Sequence, residues 1–286
     1  MSDTALIVGV GDIHGRFHRV RTWLDTLERA LDRPVDAVLA VGDVEAFAVP
    51  DDHRRKAAKR TMPAEFAAFA RGESRMPRPF YFIGGNNEDF EGLHVLPDGG
   101  EVAPGVHYLG RVGAATIAGI RVGWLSGIHA PKWVESPLLA PTSTATRKQA
   151  GYFRLVEVER LRAEREVDLL LTHEWPHGLF ARTPGKPLRP WMGSPLTRSV
   201  VDAVQPQWLL CGHSHERFAA TLRHPGDGST RVACLDEAAE PDGAVLWMEW
   251  RGGEARRVGW GIDGQVSWTS TQPWGAARGP AVRRLP

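Results

Sequence analysis

The sequence predicts an α/β fold of four layers, an αββα sandwich of two mixed β-sheets flanked by helices. Three observations point to it. The chain opens with apolar, strand-like runs separated by segments of helical periodicity, the pattern of β-α-β units. Each of those runs ends in a Gly-containing polar turn, as strands do when they deliver polar residues at the carboxyl edge of a sheet. The later half adds a series of short strand-like runs that a second sheet, packed face to face on the first, accommodates.

The elements follow in order. Ala5 to Val10 is a continuous apolar run ending in Gly-Asp, read as a buried strand. Phe17 to Leu31 carries Val20, Trp23, Leu24, Leu27 and Leu31 at helical spacing. Asp36 to Val41 repeats the strand pattern and its Gly-Asp ending. Ala64 to Ala70 reads as part of a helix, and Phe80 to Ile83 as a third strand ending in Gly-Gly-Asn. Val106 to Leu109, Ala115 to Ala118 and Arg121 to Ser126 read as a meander across Gly-rich turns. Arg147 to Arg165 reads as one helix, with Phe153, Val156, Val158 and Leu161 partly aligned. Val167 to Leu171, Trp208 to Cys211, Phe218 to Leu222, Arg231 to Leu235 and Ala244 to Trp250 complete the strands. Three stretches read as loops: Ile128 to Thr146, the proline-rich Trp175 to Pro195, and everything beyond Ile262. Residues 1–262 are expected to form one domain, with a recognition-type loop at 128–151, and 263–286 a C-terminal tail.

At 286 residues the chain can bury a substantial core. Lys+Arg 35 against Asp+Glu 34 leaves no global field that would draw nucleic acid or anionic membrane, so any such partner needs a local patch. The basic cluster from His53 to Arg60 reads as a solvated helix face. The 2 cysteines, Cys211 and Cys234, lie in apolar runs and read as buried free thiols of a reducing compartment. With no signal-like start and no apolar run of membrane length, a cytoplasmic protein is expected.

Five short motifs carry chemistry: Gly11-Asp12-Ile13-His14-Gly15, Gly42-Asp43, Gly85-Asn86-Asn87-Glu88, Thr172-His173-Glu174 and Gly212-His213-Ser214-His215. Each alone is common. All five in this order, each after an apolar run, supply the carboxylates, amide and imidazoles that two divalent metals need. Asp12 and His14 can present an oxygen and a nitrogen to a first metal, and Asp43 can bridge. Asn86 offers an amide oxygen to the second, joined by His173 and His213, while His215 turns back to the first. Nitrogen-rich mixed ligation suits Mn²⁺, Fe²⁺, Zn²⁺ or Co²⁺ better than Mg²⁺ or Ca²⁺. The expected chemistry is phosphoester hydrolysis by a hydroxide bridging the two metals.

The motif set resembles the calcineurin-like metallophosphoesterases, whose pattern the metal roles above follow. A closer resemblance, over roughly residues 5 to 250, is to RNA lariat debranching enzymes. It is carried by Phe82-Ile83-Gly84-Gly85-Asn86, Leu96-Pro97-Asp98-Gly99-Gly100, His107-Tyr108-Leu109-Gly110, Leu125-Ser126-Gly127-Ile128, Thr172-His173-Glu174-Trp175-Pro176, Gly193-Ser194-Pro195 and Leu235-Asp236. That resemblance implies cleavage of 2′–5′ phosphodiester bonds at RNA branch points. It also implies a recognition loop at Ile128 to Gly151, with Tyr152 and Arg154, beside Arg147, placed to contact substrate.

Two departures stand out. Eukaryotic debranching enzymes commonly begin the ligand set with Cys, whereas Asp12 restores the ordinary two-metal set. The superfamily usually follows the ligand Asn with His, a proton donor to the leaving oxygen, and here that position is Asn87, whose amide does not titrate. Loss of a general acid typically lowers the rate by about 10²–10⁴-fold where the leaving group needs a proton. Asn87 can still donate a hydrogen bond to phosphate, and His94 or His129 could carry the proton. The expected catalytic residues are Asp43, Asn87 and His213, and the expected substrate a phosphodiester of RNA or a nucleotide. The alternatives are a metal-binding scaffold that has lost catalysis, and a phosphomonoesterase or phosphoprotein phosphatase.

Overall fold

The computed structural model describes residues 4–49, 63–179 and 193–272. Its first half runs β1 (Thr4–Val10), α1 (Phe17–Leu31), β2 (Ala37–Ala40), α2 (Phe66–Ala70), β3 (Phe80–Phe82), α3 (Phe90–His94), β4 (Gly100–Ala103) and β5 (Val106–Tyr108). There follow β6 (Val112–Ile117), β7 (Ile120–Leu125), α4 (Thr144–Ala150), α5 (Leu155–Arg162), β8 (Leu169–Thr172), α6 (Pro195–Val204) and β9 (Trp208–Cys211). The last elements are β10 (Phe218–Arg223), β11 (Ser229–Cys234), α7 (Pro241–Ala244), β12 (Val245–Arg251), β13 (Glu254–Trp260) and β14 (Trp268–Thr269).

Strand periodicity explains the layers. Along β1, Leu6, Val8 and Val10 enter one core while Ile7 enters another. A strand buried on both faces reads as a continuous apolar run, which is how β1, β2, β8 and β9 look in sequence. The first sheet has eight strands in the order β14-β13-β12-β1-β2-β3-β5-β4, and the second six in the order β10-β11-β9-β8-β7-β6. Ile7, Leu39, Leu171, Leu210 and Met248 meet between the sheets. Outside the first sheet, Phe17, Val20, Leu24 and Leu27 of α1 pack with Val38, Phe80 and Phe82. Outside the second, Val158 and Leu161 of α5 and Val200 and Val201 of α6 pack with Leu170 and Leu209. The four-layer α/β expectation holds.

Several details differ. The supposed meander is divided between the sheets: β4 and β5 pair antiparallel at one edge of the first, while β6 and β7 form a hairpin at one edge of the second. The helix expected over 147–165 is two helices, α4 and α5, separated by Gly151 to Arg154. At this break Glu157 turns back to accept the Arg154 main-chain N–H at 2.8 Å, capping α5. Strands β13 and β14 fall where no strand was read, and β14 lies within the stretch taken as tail, with Trp268 buried in the inter-sheet core. Both cysteines are free and buried, as expected. The His53–Arg60 cluster, most of the proline-rich loop, and Trp274 lie outside the described residues.

Candidate metal centre

Strands β1, β2, β3 and β5 are mutually parallel in one sheet, and β7, β8, β9 and β11 in the other. Their carboxyl ends carry the five motifs: Asp12 and His14 after β1, Asp43 after β2, Asn86 and Asn87 after β3, His173 after β8, and His213 and His215 after β9. Short turns aim these side chains. His14, Asp43, His213 and His215 all adopt left-handed backbone, with φ of 46°, 48°, 67° and 52°. Such conformations in non-glycine residues are strained and cluster at functional sites. Close approach explains two glycines: a Cβ on Gly85 would collide with Asp43 Oδ1, and one on Gly212 with Asp12 Oδ1.

Asp12, His14, Asp43 and His215 each offer one ligand atom, and those atoms all lie within 4.8 Å of one another. Asp12 Oδ2 is 3.2 Å from His215 Nε2, which is 3.4 Å from His14 Nε2. On the neighbouring side, His173 Nε2 lies 3.1 Å from Asn86 Oδ1 and 3.4 Å from Asp43 Oδ1. The His213 ring follows, 5.0 Å from that of His173. All seven ligand candidates therefore form one chain of neighbours with Asp43 in the middle.

The donor set fits cations. His173 Nδ1 lies 2.8 Å from the Val41 carbonyl, so in the neutral imidazole Nδ1 carries the proton and Nε2 a lone pair. That lone pair faces two more acceptors, the Asn86 and Asp43 oxygens. His14 repeats the arrangement, with Nδ1 2.6 Å from Glu45 Oε1 and Nε2 directed at the His215 nitrogen. Lone pairs brought together like this repel unless positive charge lies among them. An outer carboxylate or carbonyl that fixes the imidazole tautomer is a regular feature of metal-binding histidines.

Electrostatics agree. Burial by itself would raise the Asp12 carboxyl, but positive charge about His173, His215 and His14, with a hydrogen bond from His215, outweighs it and holds Asp12 below the ordinary carboxylate range. Burial, reinforced by His173, pushes His213 down to about 3, which leaves its ring neutral and able to donate a lone pair. Glu88 is raised well above its usual value by burial and by the nearby Asp43 charge. It accepts N–H bonds from Gly85 at 3.0 Å, Val44 at 3.0 Å and Glu45 at 2.8 Å, locking the β3 turn onto the β2 turn. Glu174, raised to about 7 mainly by burial, accepts from the His129 main chain at 2.7 Å.

Two acids were missed by sequence reading. Glu45 fixes His14, and its only signal was its place two residues beyond Asp43. Glu237 Oε2 lies 3.6 Å from His215 Nδ1 and 4.0 Å from His14 Nε2, and its only signal was its place directly after the Leu235-Asp236 segment. The expected substrate contacts fare unevenly. Asn87 is exposed, yet its amide donates to Asp43 Oδ2 at 2.7 Å. Tyr152 is half-buried at the end of the 128–151 loop. Arg154 is buried, its η-nitrogens donating to the Tyr152 and Gln149 carbonyls at 3.2 Å each, an arrangement that braces the loop. Arg147 pairs with Glu91. His129 stacks on Phe153 at 5.8 Å.

Two facing mixed sheets, with carboxylate, amide and imidazole donors gathered at the ends of their parallel strands, define the metallophosphoesterase class. The model of the calcineurin-like phosphoesterase family matches residues 5–217, and the chain belongs to that family. It is 30% identical to the human (Homo sapiens) lariat debranching enzyme, over 78% of this chain and 44% of that protein. It is 28% identical to the lariat debranching enzyme of Saccharomyces cerevisiae, over 75% of this chain and 58% of that one. The chain thus spans about half the length of these relatives. Among solved structures, a putative 5′-nucleotidase from Staphylococcus aureus superposes with a TM-score of 0.44 at 15% identity, over 86% of this chain and 50% of that chain. Among the described residues no helix is long and apolar enough to cross a membrane.

Proposed function

We propose that the chain is a phosphodiesterase working with two divalent cations of the Mn²⁺, Fe²⁺, Zn²⁺ or Co²⁺ type. One observation carries the reading: carboxylate, amide and imidazole ligand atoms of seven residues converge across the carboxyl ends of both sheets, with those of Asp12, His14, Asp43 and His215 all within 4.8 Å of one another. In this proposal Asp12, His14 and His215 hold one ion, Asn86, His173 and His213 the other, and Asp43 spans both. When bound, such a pair neutralises phosphate charge and lowers the pKa of a coordinated water. The chain's own residues then have defined tasks. Asp12 stays ionised at neutral pH, and His213 stays neutral. Glu45 and the Val41 carbonyl hold the protons of His14 and His173 on Nδ1, so that each Nε2 faces inward.

The choice of substrate rests on likeness. Relatives named lariat debranching enzymes favour RNA with a 2′–5′ linkage, and a nucleotide diester fits the same site. In this proposal Tyr152, half-buried where the 128–151 loop ends, stacks on a base.

The deciding assay is turnover by metal-stripped protein refilled with Mn²⁺, using bis-p-nitrophenyl phosphate beside paired 2′–5′ and 3′–5′ oligoribonucleotides. We expect hydrolysis of the aryl diester and faster cleavage of the 2′–5′ oligomer. Hydrolysis of the aryl diester alone would confine the activity to small diesters. Two ions bound without turnover would mark a binding scaffold instead.

A further inference from the structure

The carboxylate at the centre of the site is held by an exposed residue that cannot titrate. Asp43 Oδ1 accepts the Asn87 main-chain N–H at 2.7 Å, and Oδ2 accepts the Asn87 side-chain amide at 2.7 Å. Two bonds from one residue, one to each oxygen, fix both the position and the plane of the carboxylate. An ionised carboxylate offers about four lone-pair sites. The Asn87 bonds take one on each oxygen and leave one on each oxygen for other partners. That is what a group must offer if it is to touch two cations at once.

The surroundings strengthen the grip. Glu88, the next residue, binds the main chain on both sides of the junction, at Gly85 and at Val44 and Glu45. The backbone arm of Asn87 is therefore locked by the turn itself, and only the amide arm depends on the residue type. An amide bond of this kind persists across the whole working pH range, because the group does not ionise.

We propose that Asn87 is a positioning residue: it presents both Asp43 oxygens to the two cation positions and takes no part at the leaving oxygen. The proposal rests on the two-ion phosphodiesterase reading above. With its amide committed to Asp43, position 87 gives no help to departure of the leaving group. The substrates it implies are diesters whose leaving oxygen departs without a proton from this position, and turnover should fall steeply as that oxygen becomes more basic.

The test compares wild type with Asn87→Ala in two measurements. The first is Mn²⁺ binding to the metal-stripped protein by calorimetry, with thermal melting of the same samples to show that the exposed site tolerates the change. The second is the dependence of kcat/KM on leaving-group pKa over a series of aryl phosphodiesters. Loss of an outer partner of a metal ligand lowers metal affinity by about 10–100-fold. Because the backbone arm survives, we expect the lower end, about tenfold weaker Mn²⁺ binding, with an unchanged leaving-group slope. Unchanged affinity would overturn the proposal. So would a steeper slope in the variant, which would mean that the amide serves the leaving oxygen after all. Wild-type protein that binds no Mn²⁺ would sink both this and the two-ion reading. Wild type that binds two ions without turnover would remove only the enzymatic reading, and the affinity comparison would still decide Asn87's role.

Discussion

His213 shows how burial decides the state of a single side chain. Its ring is neutral because desolvation and the neighbouring His173 hold its pKa near 3 in the folded protein, whereas a free imidazole titrates near 6.5. Between those values the unfolded chain binds a proton that the folded one refuses. Stability must therefore fall as pH drops from about 6.5 toward 3, with the full contribution present above 6.5. In metal-stripped protein, urea midpoints measured at pH 7 and pH 5 should move apart less for His213→Gln than for wild type. Equal shifts would mean that the folded ring takes up a proton as readily as the unfolded one. Residues such as His213 were legible because each follows an apolar run and a tight turn. Their partners were not: Glu45 meets a histidine 31 positions earlier, and Asn87 meets a carboxylate 44 positions earlier. Such pairings exist only once two turns are packed together. Asn87, read from sequence as a catalytic donor to phosphate, turns out to face a carboxylate.

The elements that frame the site are tied by a largely buried ion pair. Arg111, in the turn between β5 and β6, bonds Glu157 of α5 through Nε at 2.7 Å and Nη2 at 2.9 Å. It also donates to the Ala150 carbonyl at 2.6 Å and the Tyr152 carbonyl at 2.8 Å, at the end of the 128–151 loop. Glu157 in turn caps its own helix at Arg154. This junction is why the expected single helix breaks: the chain between α4 and α5 is pulled onto Arg111. Helical periodicity alone could not reveal that, since Phe153 and Leu161, both buried and eight residues apart, keep a helical spacing across the break. Removing one partner of a buried pair leaves the other charge uncompensated, at about 3–5 kcal/mol. Arg111→Ala should lower stability by that amount in denaturant unfolding. Arg111→Ala/Glu157→Ala should recover part of it by removing the stranded acid, and no more, because two carbonyls remain without their donor. A double variant as stable as wild type would show that those carbonyl contacts contribute nothing.

At the scale of the whole molecule, the apolar runs made both sheets visible, because strands buried on two faces cannot hide their composition. The last two strands, β13 and β14, escaped notice for the opposite reason. In β13, exposed Glu254, Arg256 and Arg257 interrupt the buried Ala255 and Val258, and β14 has only two residues. Yet this edge closes the inter-sheet core. Trp268 of β14 is buried, its ring centroid 5.8 Å from that of Trp208 on β9 in the opposite sheet, in an edge-on contact. The Arg231 guanidinium lies 4.1 Å from the Trp268 ring centroid, a cation–π contact on the same residue. A boundary at Ile262 would cut this tryptophan away, so the stretch just beyond it belongs to the structural core. Trp268→Ala should destabilise the protein by about 3–5 kcal/mol, the usual result of emptying a buried tryptophan site. Ending the chain at Ile262 should have at least as large an effect, since it also unpairs β13. Both can be read as shifts in the denaturant midpoint, with Mn²⁺ binding followed alongside. Trp268 meets β9 at its first residue, Trp208, whereas His213 and His215 follow the opposite end of that strand, so we expect the weakened Trp268→Ala protein, while still folded, to bind Mn²⁺ as wild type does. A loss of binding that precedes unfolding would instead mean that this edge governs how the two sheets bring their ligand loops together.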